Sequence, residues 1–77
     1  MIININKPES MMVNGKAMRW TAINKDTGQE IPYAIAADDV AGWVEHYKLD
    51  DEGNLIIVNN EMVIMKTIAQ IELIPHW

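Results

Sequence analysis

The chain has no cysteine and no phenylalanine, and its 77 residues include only six basic side chains against eleven acidic ones. The missing cysteine excludes disulfides and thiolate metal sites together. His46 and His76 fall in different segments, at no paired-ligand spacing, so neither a metal site nor a cofactor is expected. The basic residues are scattered as Lys7, Lys16, Arg19, Lys25, Lys48 and Lys66, each among neutral or acidic neighbours. Phosphate neutralisation needs clustered cations, so direct nucleic-acid binding is disfavoured. No apolar run approaches the ~20 residues of a membrane span. The opening segment Met1-Ile2-Ile3-Asn4-Ile5-Asn6 lacks the basic region, apolar stretch and cleavage site of a signal peptide, so the expected location is the cytoplasm. Glycine-rich phosphate loops and a G-x-S-x-G nucleophile elbow are both missing.

The length allows one domain, 1–77. A chain of this size buries only about 60–65% of the surface its unfolded form exposes. Small folds make up the deficit with disulfides, a metal or oligomerisation, and here only self-association survives. The formal net charge of −5 serves solubility. It would also suit docking on a basic partner, including a groove that normally holds nucleic acid.

What is present is turn chemistry. Asn14-Gly15, Lys25-Asp26-Thr27-Gly28 and Asp50-Asp51-Glu52-Gly53-Asn54 separate short segments rich in Ile, Val, Met and Trp. Gly and Asn tolerate the positive φ of tight reversals, so the spacing predicts a β meander. Expected strands are Ile2 to Ile5, Met11 to Val13, Ala17 to Asn24 and Gln29 to Ala36, the last demoted to an edge or bulged by Pro32. The segment Ala37 to Leu49 reads two ways. Val40, Trp43, Val44 and Tyr47 fit a short amphipathic helix capped by Asp38 or Asp39, whereas a strand would set Trp43, Glu45 and Tyr47 on one face. Leu55 to Val58 and Met62 to Met65 are unbroken apolar runs on either side of an Asn59-Asn60 turn, and Ala69 to Ile74 alternates. Unbroken runs imply strands covered on both faces, and no long helix is available to cover them. The fold class is therefore all-β, a small antiparallel barrel or sandwich of about six strands, with α+β through one short helix as the alternative.

For chemistry, Asp38-Asp39 and Asp50-Asp51-Glu52 lack the alternating spacing of a calcium loop and read as solvated turns. His46 would face away from Glu45 and Tyr47 on a strand, so no acid–base trio is expected and the chain reads as non-enzymatic. Trp20, Trp43, Tyr47 and Trp77 are the candidate interface anchors, the tryptophans Trp20 and Trp43 serving equally well as core. Asp38, Asp39, Glu45, Asp50 and Asp51 would form an acidic rim that steers association. Arg19, the one arginine, is the candidate anion contact.

The run from Ala37 through Trp43, Tyr47 and Leu49 to Asn54 resembles small uncharacterised accessory proteins of tailed bacteriophages. There an acidic turn, a short strand ending near tyrosine and a D-x-x-G-N turn lead into a final strand, here Ile68 to Ile74. The resemblance covers the C-terminal half and implies a phage or prophage context inside bacteria. The expected function is protein–protein interaction: inhibition of a host defence or regulatory protein with a basic surface, or a minor structural part. The alternative is a homo-oligomer that sequesters a nucleotide-like molecule at a subunit interface.

Overall fold

Asn14 and Gly15 both take positive φ, 52° and 78°, the pairing a two-residue hairpin turn requires, and join β2 (Met12–Val13) to β3 (Lys16–Ala17). Asn59 and Asn60 do the same at 53° and 65° between β8 (Ile57–Val58) and β9 (Glu61–Met62). The computed structural model describes residues 1–76. Trp77, proposed as an anchor, lies outside the described residues.

The remaining strands are β1 (Ile2–Asn4), β4 (Arg19–Asn24), β5 (Gln29–Ile31), β6 (Ala34–Asp38), β7 (Trp43–Tyr47), β10 (Ile64–Ile68) and β11 (Ile71–His76). All pairings are antiparallel. Four strands form one sheet in the order β1-β6-β7-β10, and three form another in the order β11-β4-β5. The chain is a small all-β fold, with a 3-10 turn at Pro8–Met11 as its one helical element among the described residues.

The two sheets share one core. Ile3, Ala37 and Val44 from the first meet Ala22 and Ile71 from the second, with Trp20, Ile31 and Leu73 packed against them. Val44 and Ala37 are wholly buried. Fully burying a valine side chain contributes about 2 kcal/mol, so Val44 is a main support of β7.

The strands are shorter and more numerous than the meander reading expected. Ala17 to Asn24 breaks at Met18, and Leu55 to Val58 keeps only its last two residues in a strand. Gln29 to Ala36 is divided by Pro32 and Tyr33. Proline cannot donate to the ladder and Tyr33 takes a φ of 57°, so the chain leaves the edge strand β5 and enters the other sheet as β6. It crosses back at Ala69 and Gln70.

The helical alternative for 39–47 is not realised. Gly42 has a φ of 80°, which ends the turn after β6 and starts β7. The apparent helical face does not exist in space, since Val40 is 84% exposed and Val44 is fully buried.

Candidate functional site

Alternation along β7 sends Val44 into the core and Trp43, Glu45 and Tyr47 to the outer face of the four-stranded sheet. Register with β10 brings Ile68 beside Trp43, Lys66 beside Glu45 and Ile64 beside Tyr47. On the other side Asp38 pairs with Trp43 and with Ile2. The large outward-facing apolar and aromatic side chains of this sheet are thus Ile2, Trp43, Tyr47, Ile64 and Ile68, with the small, buried Ala36 between them. Ile68 is 80% exposed, Ile2 58% and Ile64 52%. Lys66 does not sit alone among them: its Nζ lies 4.6 Å from the centroid of the Trp43 ring. A cation over an indole face contributes roughly 0.5–1 kcal/mol at an exposed site.

The opposite outer face, on β4 and β11, mixes Arg19, Thr21, Glu72 and His76 with Ile23 and Ile74. Arg19 stands there, exposed, in register with His76, and Thr21 contacts the His76 ring. Arg19 and Trp43 therefore belong to opposite faces of one subunit, so a phosphate fork and a stacking ring are not brought together within it.

Of the two readings of Trp20, anchor or core, its position fits the core. It is half-buried against the shared core, and its indole Nε1–H donates to the Met11 carbonyl at 3.0 Å. Trp43, also half-buried, lies instead on the outer face of the four-stranded sheet. Sequence could not separate the two, because both sit in alternating strands and only the sheet packing decides which face is inside.

The proposed acidic rim divides. Asp38 is a correction: it is buried, and its Oδ1 accepts from the N–H groups of Val40 at 2.8 Å and Ala41 at 2.9 Å. Those bonds, with Ala41 the larger contributor, hold its carboxyl below the ordinary aspartate value. Asp39 is exposed and takes the N-terminal ammonium at 2.8 Å, which raises that amine above its ordinary value. Glu45 is half-buried in the middle of the outer face. Asp50 and Asp51 lie in the turn beyond β7, where Asp50 Oδ1 accepts from Glu52 and Asn54 N–H, both at 2.9 Å. The two acidic turns thus flank opposite ends of β7, about 13 Å of strand apart.

His46 points away from Glu45 and Tyr47. Its Nε2 meets Thr67 Oγ1 at 2.8 Å, and its Nδ1 faces the Tyr47 carbonyl at 3.3 Å. A shallow groove of about 400 Å³ opens near Gly42, lined by Lys25, Asp39, Val40, Ile68 and Gln70 among others. Its apolar rim, Val40 and Ile68, continues the outer face. Among the described residues no three metal-ligating side chains gather, and no helix is long and apolar enough to cross a membrane.

The residues that sequence reasoning missed are Lys66, Ile64, Ile68 and Ile2. Alternation in 64–68 was the available signal, hidden because Met62 to Met65 reads as one unbroken run. Set against known protein families, characterised proteins and solved structures, the chain matches none.

Proposed function

We propose that this chain is a non-enzymatic binding protein that acts by protein–protein contact through the outer face of its four-stranded sheet. The observation that carries the reading is the exposed set of Ile2, Ile64 and Ile68 flanking the half-buried Trp43 and Tyr47 on one sheet face. Apolar side chains contiguous on one face, rimmed by polar residues, mark interaction sites on small soluble domains. Trp and Tyr at the centre of such a face are the residue types that dominate interface energetics.

The net charge of −5 favours approach to a basic surface. The bacteriophage-like cadence of residues 37–54 supports a phage or prophage accessory role, with a bacterial defence or regulatory protein as the target or a minor place in an assembly.

The test compares wild-type protein with the Trp43→Ala/Tyr47→Ala variant as baits in bacterial lysate. A protein held by the first and lost by the second is then purified and its Kd measured by calorimetry. Loss of two anchors should weaken binding by about thirtyfold or more. If no protein differs between the baits, or the Kd is unchanged, the outer face is not the binding surface.

A further inference from the structure

The hairpin of β8 and β9 contacts no other element extensively. Its apolar residues are nevertheless outside: Ile57 is 63% exposed, Val58 54% and Met62 42%. Its base is tied to the segment after β7, where Ile56 N–H donates to the Lys48 carbonyl at 3.2 Å and Lys48 N–H to the Val63 carbonyl at 2.8 Å. Beyond that base the two short strands show isoleucine, valine and methionine to solvent, and two strands on their own are marginal in water. The chain runs from this hairpin straight into β10, the terminal strand of its sheet. Alternate N–H and C=O groups of β10 point away from β7, and among the described residues none has a hydrogen-bond partner on that side.

Other edges of the two sheets are blunted. The 3-10 turn packs on β1, and Ser10 Oγ accepts the Asn4 N–H. β11 carries Pro75, while β5 has three residues including Glu30. Proline, charge and shortness are the usual protections of an edge. β10 keeps one of them, Lys66, whose ammonium is drawn over Trp43.

We infer that a second copy of this chain covers the β8–β9 hairpin and pairs with the free edge of β10. Three observations support the copy as that occupant. The first is area. The chain exposes 5518 Å², against roughly 4,800 Å² for a compact monomer of its mass. The excess of about 700 Å² is close to the ~800 Å² that each partner buries in a standard interface.

The second is charge. Two copies that each carry −5 repel except across an uncharged surface, and Glu61 is the only charged residue from Leu55 to Met65. The third is symmetry. An antiparallel edge pairs with itself about a two-fold axis and closes into a dimer. Like charges directly opposite are destabilising, so the axis falls near Met65 or Thr67 rather than at Lys66. The two four-stranded sheets then become one, and the dimer presents two Trp43 surfaces on a continuous face. This assembly stands or falls independently of what those surfaces bind.

Sedimentation velocity across roughly 1–100 µM, the range of weak to standard interfaces, tests it. Wild-type protein should sediment at twice 8.8 kDa. Ile57→Lys/Ile64→Lys replaces two exposed residues and should raise the dimer Kd by about thirtyfold or more. Val58→Lys alone should act in the same direction, which guards against a folding defect in the double variant. Ile74→Lys, on the outer face of the other sheet, should leave the dimer intact. A monomeric wild type, a double variant that remains as tightly dimeric, or dissociation by Ile74→Lys would each overturn the assignment. So would a monomer whose β10 edge is taken by a different protein, since the surface would then belong to a heterologous partner.

Discussion

Replacing Gly42 with alanine should be among the most damaging single-methyl changes in the molecule. Gly42 has a φ of +80°, and a β-carbon there would stand 2.8 Å from the backbone oxygen of Ala69. The conformation alone costs an L-residue about 1–2 kcal/mol. The clash is with main chain, so relief requires moving the Ala69 peptide, which donates its N–H to the Gly42 carbonyl at 3.1 Å. Losing that bond removes roughly 1 kcal/mol more. The sum, about 2–4 kcal/mol, is large against the ~4–12 kcal/mol expected for a domain of this length. Gly42 joins β6 to β7, and Ala69 stands where the chain crosses between sheets, so the damage reaches both layers. Urea unfolding is the assay, read by tryptophan fluorescence with Trp20 in one sheet and Trp43 in the other. At about 1 kcal/mol per molar urea, the midpoint should fall by about 2 M or more. Gly53→Ala is the reference, because its φ is +84° and open space surrounds the site, leaving only the conformational cost. Equal losses for the two variants would show that Ala69 yields freely and would refute the reasoning.

Two further predictions concern the core and the turn before β7. Val44→Ala removes two methyl groups from a wholly buried position and should lower stability by about 1.5–3 kcal/mol in the same assay, transfer and cavity contributions together. Because the bonds from Ala41 and Val40 lower the Asp38 carboxyl in the folded state, its contribution is fully present above the unfolded value of about 3.9 and is lost as pH falls through the lower folded value. The acid decline of Tm should therefore be shallower in Asp38→Asn than in wild type, and identical slopes would show that the charge at Asp38 adds nothing.

Much of the secondary structure was legible because turns are local. Asn14-Gly15 and Asn59-Asn60 reverse the chain where their side chains permit positive φ, and Asp50 closes its turn through neighbouring N–H groups. The strand at Trp43–Tyr47 was one of two readings, and alternation then set Trp43, Glu45 and Tyr47 on one face and His46 on the other. Strand ends were less legible. Tyr33 is not a usual positive-φ residue, and the breaks at Met18 and Val63 follow from which sheet each segment joins. At the candidate site, Trp43 and Tyr47 could be named from residue type, but not the β10 side chains that complete their surface.

Composition and turn residues alone determined that this chain is a small, acidic, cysteine-free β protein rich in apolar strand. Those properties depend on residue type and on neighbours a few positions apart. Tertiary structure alone decided that Trp20 goes inward while Trp43 stays out beneath Lys66, and that Asp38 caps a turn rather than rimming a surface. It also decided that β10 ends its sheet with an open edge. Such outcomes depend on which distant strands pair and in what register, and a shift of one residue exchanges the two faces of a strand.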